Sequence, residues 1–128
     1  MFKGIDHMVI AVNDLEQAVK DYEAKLGLKA QEGGGERPDL GLRNAYLPLG
    51  DGGAFIELAQ PLGPETPLGR TIARKGEGIH LLAMAVDDLQ QAVAQLKQNG
   101  AQVIEAGSMV FIHPRDAHGI MFQLVERK

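Results

Sequence analysis

The chain has no cysteine. That excludes disulfides, thiolate metal sites and a cysteine nucleophile, and it agrees with a reducing, cytoplasmic setting. Long apolar runs are missing as well: nothing approaches the roughly 20 residues that a membrane-spanning helix needs. The opening stretch, "MFKGIDHMVIAV", has no long apolar core followed by a small-residue cleavage site, so the expectation is a protein without a signal peptide. Positive charge is in short supply, with 13 Lys and Arg against 17 Asp and Glu and a net charge of −4. Without a basic field, a nucleic-acid partner has little support. What is present is ordinary for a globular chain, 45% hydrophobic and 23% charged over 128 residues, which is about one domain's length.

The strongest organisational signal is internal duplication. Val9–Val19 laid over Ala83–Val93 gives a constant offset of 74 residues, with seven identities in eleven positions. A second echo follows in each half, "GAFIEL" (Gly53–Leu58) against "GIMFQL" (Gly119–Leu124). A repeat of this length implies one supersecondary unit used twice.

Each half reads the same way. "HMVIAV" and "HLLAMAV" are short apolar, β-prone runs, expected as strands buried on both faces. Asn13-Asp14 and Asp87-Asp88 then offer acceptors for free helix N–H groups. Leu15, Ala18, Val19, Tyr22 and Leu26 recur at helical spacing before Gly27, and Leu89, Ala92, Val93 and Leu96 repeat the stripe before Gly100. Shorter β-like runs come next: Leu28–Gln31, Leu42–Leu47 and Ala54–Ala59, then Ala101–Glu105, Met109–His113 and Ile120–Val125. The prediction is an α+β fold of two tandem βαβββ modules in a single domain, 1–128. Module one covers about 1–60, a connector about 61–77, and module two about 78–128. The connector is rich in Pro and Gly at its ends, and Leu68–Lys75 within it has room for two helical turns. Glu32–Gly41, with three consecutive glycines, is expected to be a mobile loop, either a lid or a long hairpin turn.

The series "IDHMVIAVNDL", "IELAQPLG", "GIHLLAMAVDDL" and "FIHPRDAHGIMFQL" resembles the vicinal oxygen chelate superfamily. That superfamily includes glyoxalase I, extradiol dioxygenases and bleomycin-resistance binding proteins. Within it the likeness is greatest to the methylmalonyl-CoA epimerase group, and it covers essentially the whole chain. The resemblance implies curved mixed sheets enclosing a cup, one divalent metal (Zn, Ni, Co, Fe or Mn) in that cup, and enolisation of a bound acyl group against it. It implies a homodimer too, since relatives are commonly dimers.

Carried over residue by residue, the family's first metal histidine falls on His7 and its carboxylate or amide ligand on Glu57. The position of the second metal histidine falls on Leu81, not on His80, when "VDDL" is aligned without a gap. The internal offset gives the same register, pairing His7 with Leu81. Adjacent strand residues face opposite ways, so only a bulge near Gly78–Leu81 would exchange the two. The fourth ligand, a glutamate that doubles as a base, falls on Gln123, and the epimerase's other base falls on Asn44.

An amide takes up no proton under ordinary conditions, so neither Asn44 nor Gln123 can act as a base. Two-base epimerisation is therefore not expected. Glu57 is the remaining carboxylate, and among Phe55, Ile56, Leu58 and Ala59 it is costly to bury without a partner. Asn44 and Tyr46 share a strand face, either as donors to a substrate carbonyl or as a core tyrosine with an asparagine at its rim. His113 belongs to turn architecture and His118 to the surface. Arg70, Arg74 and Lys75 either meet nucleotide phosphates or form a solvated helix face. Two functions stay open: a metal-dependent lyase or isomerase on a small carbonyl or acyl-thioester substrate, with Leu81 lining the site and water in place of the lost ligand, or a metal-free module that sequesters a small molecule.

Overall fold

The computed structural model describes residues 1–127. Before the connector come β1 (Phe2–Ala11), α1 (Leu15–Asp21), β2 (Gln31–Arg37), β3 (Leu42–Pro48) and β4 (Phe55–Pro61). α2 (Pro67–Lys75) follows, then β5 (Gly78–Val86), α3 (Leu89–Gln98), β6 (Val103–Ala106), β7 (Met109–Ile112) and β8 (Phe122–Glu126). The order strand, helix, three strands thus occurs twice, in an α+β protein with parallel and antiparallel pairings together. Two compact units result, Met8–His80 and Met1–His7 with the chain from Leu81 on.

In the unit Met8–His80 the strands run in the order β2-β3-β4-β1. Asp14 caps α1 by accepting from the Gln17 backbone N–H, and Gly27 closes the following π-helical turn (Tyr22–Leu26) in the left-handed region at φ 71°. α1 lays Leu15, Ala18 and Val19 on an apolar cluster with Val12, Ala45, Leu47, Ile56 and Leu58. Since strand side chains alternate, Asn44 and Tyr46 of β3 and Glu57 of β4 fall on the other face. α2 is capped by Thr66, whose hydroxyl accepts from the Gly69 N–H, and it starts one residue before the connector's expected helix.

In the other unit the order is β5-β8-β7-β6, with β5 and β8 parallel. Asp88 caps α3 through the Gln91 N–H, as Asp14 caps α1. α3 packs Ala92 and Leu96 onto Val86, Val110 and Leu124, with Met84 and Ile112 beside them. Leu81, Ala83 and Ala85 alternate to the opposite face of β5, and Gln123 does so on β8, where it is paired with Ala83 and Phe111.

Two sequence expectations are corrected. The glycine stretch is not a free loop: Gln31–Arg37 is a strand, paired antiparallel with β3 through an irregularity between Gln31 and Gly35, and only Gln31 of the expected Leu28–Gln31 run belongs to it. Every residue of β2 is exposed, so no apolar alternation marks it, and hydrogen bonds to β3 hold it. Gly34 lies so close to β3 that a Cβ would sit 2.5 Å from the Asn44 carbonyl oxygen. The second correction concerns β1 and β5. β1 starts five residues before its apolar run and β5 two, and the starts are exposed rather than buried, with Ile5 at 48% and Ile79 at 52%.

Candidate functional site

The unit Met8–His80 gathers Asn44, Tyr46 and Glu57 on the face away from α1. Tyr46 and Glu57 are direct partners across β3 and β4, and Asn44 lies two residues along. Asn44 is buried at 3% and its amide is fully engaged. Its Nδ2 donates to Glu57 Oε2 at 3.0 Å and to the Tyr46 hydroxyl at 3.2 Å, while its Oδ1 accepts from the Gly35 N–H at 3.2 Å. Phe55 stands edge-on to the Tyr46 ring, with centroids 5.5 Å apart. Asn44 is thus held as a donor to the Glu57 carboxylate. A carboxylate held this way among half-buried aromatics can take a proton from a carbon acid or bind a cation.

β2 adds two residues that the sequence reading did not single out. Gly35 supplies the backbone donor for Asn44. Arg37 ion-pairs with Asp39, which holds its guanidinium above the usual range; the Tyr46 hydroxyl adds a smaller contribution. Reading Gln31–Arg37 as a strand would have placed both opposite β3.

The other unit holds His7, Leu81 and Gln123. His7 Nδ1 lies 2.7 Å from Asp6 Oδ2, and Asp6 Oδ1 lies 3.3 Å from Arg127 Nε. Leu81 is buried at 9% and offers no donor. With Ala83 and Phe111 it makes this unit's helix-free face largely apolar around the Gln123 amide. Phe111 beside Gln123 takes the place that Tyr46 has beside Glu57 in the unit Met8–His80, so the two copies differ in polarity there.

His80 lies on the face of β5 shared with Met84 and Val86, opposite Leu81. Its Nδ1 is buried with no hydrogen-bond partner among the described residues. Burial, then the charges of Lys75 and Arg74, hold its pKa below the ordinary histidine value. His113 caps the short 3-10 turn Pro114–Ala117 by accepting from the Arg115 N–H, and exposed His118 ends that turn at φ 55°. Arg70, Arg74 and Lys75 of α2 are exposed.

This architecture has known counterparts. The family model described as a glyoxalase-like domain matches residues 5–126. The chain belongs to that family, within the vicinal oxygen chelate superfamily. An ethylmalonyl-CoA/methylmalonyl-CoA epimerase of Cereibacter sphaeroides is 31% identical, over 97% of this chain and 98% of its own. The crystal structure of methylmalonyl-CoA epimerase from Mycobacterium tuberculosis is 32% identical, with a TM-score of 0.87 over 99% of this chain and 89% of that one. A variant of the Streptomyces coelicolor epimerase, solved with 2-nitronate-propionyl-CoA, is 28% identical with a TM-score of 0.88, covering 98% of each chain.

The donor types fit the divalent ion that the superfamily implies. His7 has its Nδ1 committed to a carboxylate, the usual arrangement of a metal-bound imidazole. The same unit offers an amide oxygen at Gln123 and the unit Met8–His80 a carboxylate at Glu57, donor types that suit Zn, Ni, Co, Fe or Mn. Protein donors are fewer than in a closed site: among the described residues, no three His, Cys, Asp or Glu side chains group around a possible ion.

Proposed function

We propose that the protein is a lyase- or isomerase-type enzyme acting on a small carbonyl or acyl-thioester substrate, with Glu57 as its proton-transfer group. The observation that carries this reading is the Asn44 Nδ2 contact to Glu57 Oε2 at 3.0 Å. It orients one carboxylate and leaves an amide where the epimerase pattern has a second base. The relatives named for acyl-CoA epimerisation support the substrate class. His7, Glu57 and Gln123 are the residues that would hold a divalent ion, which would polarise the substrate carbonyl and acidify the adjacent C–H. A cation on Glu57 weakens it as a base, so its two roles compete. Residues 1–128 act in this reading as one cytoplasmic domain that forms a homodimer.

One base on one face of an enolate removes a proton and, after exchange with solvent, returns one to that same face. The reaction supported best is therefore exchange or elimination next to the carbonyl, without inversion. A second reading, a metal-free small-molecule binding protein, draws on Leu81 and on the apolar face around Gln123.

The test takes protein purified without chelator, assays its metal content, and incubates it with methylmalonyl-CoA in D2O. Deuterium should enter at the α-carbon without loss of configuration, and Glu57→Gln should abolish its entry. Leu81→His should bind a divalent ion more tightly than wild type by about tenfold or more, since it supplies a fourth donor. Wild type that takes up no metal, exchanges no deuterium and is stabilised by apolar ligands alone would overturn the enzyme reading in favour of sequestration.

A further inference from the structure

The unit Met8–His80 sorts its strand cations by face. Directly paired residues of neighbouring strands point to the same side of a sheet. Arg43 is paired with Glu36 and Gln60, and its guanidinium bonds Glu16 of α1 through both terminal nitrogens. Arg37 is paired with Leu42, as Gly35 is with Asn44, so Arg37 shares the opposite face with Asn44, Tyr46 and Glu57. It is the one Lys or Arg that β2, β3 and β4 place there.

The backbone under Arg37 is fixed. Its carbonyl accepts from the Leu40 N–H at 3.0 Å, and the Gly41 carbonyl beyond accepts from the Leu62 N–H at 2.9 Å. The side chain is held far less. Its ion pair with Asp39 runs through one nitrogen at 3.3 Å, between side chains that are 45% and 64% exposed. A pair so exposed contributes little and exchanges readily for a better partner. The Tyr46 hydroxyl acts on the same guanidinium, and Tyr46 is the cross-strand partner of Glu57. Five N–H donors in a planar fork leave room for a further oxygen anion. Glu57 repels an anionic substrate, and a guanidinium on the same face offsets that repulsion and fixes the substrate's direction.

We propose that Arg37 is a specificity-determining residue that binds an anionic oxygen group of the substrate, a carboxylate or a phosphate, while Glu57 faces the acidic carbon. This deepens the proposed function and rests on it for the role of Glu57. The anion contact itself does not depend on proton transfer.

The test measures dissociation constants by calorimetry for methylmalonyl-CoA, propionyl-CoA and methylmalonyl-pantetheine, which lacks the phosphates, beside deuterium entry into methylmalonyl-CoA. Arg37→Gln should weaken methylmalonyl-CoA binding about 10- to 100-fold, the worth of a charge-assisted hydrogen bond. Arg37→Lys should recover part of the loss, since it keeps the charge but not the fork. Arg43→Gln, which removes the same charge from the other face, should bind as wild type does. A loss confined to the two methylmalonyl thioesters assigns the anion to the acyl carboxylate. A loss confined to the two CoA thioesters assigns it to a phosphate. Equal affinities in wild type and Arg37→Gln overturn the proposal, as do equal losses in Arg37→Gln and Arg43→Gln. An equal loss on all three ligands, or a wild type that binds none of them, overturns it too. Arg37-dependent binding without deuterium entry in wild type upholds it, and it is then the Glu57 reading that fails.

Discussion

His80 shows how much a single residue's facing decides. It sits beside Leu81 on a strand, yet it meets the cationic end of α2 while Leu81 meets the opposite face. Its orphaned Nδ1 and lowered pKa make it a point of acid weakness. The unfolded chain takes up this proton as pH falls through about 6.5, whereas the folded chain resists it, so stability declines below that value. His80→Leu should flatten this decline and add about 1 kcal/mol at neutral pH by removing an unsatisfied polar atom. Urea midpoints at pH 7.5 and 5.5 check both effects, and equal declines in the two proteins would contradict the account. At this scale the sequence was informative about facing, because period two and the offset of 74 place Leu81 against His7. It was silent about Asp6 and Arg127, whose meeting depends on a contact between residues at opposite ends of the chain.

Among the elements, β2 matters most to Asn44, Tyr46 and Glu57 and left the faintest trace in the sequence. Its pairing with β3 delivers the Gly35 N–H to Asn44 and brings Arg37 near Tyr46. A strand whose residues are all exposed has no hydrophobic period to read, and three glycines point toward a loop. Helices α1 and α3 were legible because their caps and stripes are local, with Asp14 and Asp88 each bonding the N–H three residues on. The close approach at Gly34 has a measurable cost. Gly34→Ala should destabilise the fold by about 1–3 kcal/mol, because the β3 backbone must move to admit the methyl group. It should also lower activity by loosening Asn44, which a shift in the Asn44 side-chain amide resonance would reveal. Unchanged stability and resonance would show that β2 is free to peel away.

At the scale of the molecule, the boundaries between the compact units fall inside strands, between His7 and Met8 in β1 and between His80 and Leu81 in β5. Only the unit Met8–His80 is one continuous segment; the other joins Met1–His7 to the chain from Leu81 on. Each has its own apolar cluster. Leu58→Ala and Leu124→Ala should each lower the unfolding free energy by about 2–5 kcal/mol and shift the same single transition. Far-UV circular dichroism and Tyr fluorescence should give coincident transitions; two separated transitions would contradict a single folding unit.

The interrupted strands also constrain how such a chain is cut or assembled. A break in the Pro- and Gly-rich connector would not release two self-sufficient halves. The first fragment would carry Met1–His7, which complete the other unit, and the second would carry Gly78–His80, which complete the first. The fragments would recover a fold only by exchanging these strand ends.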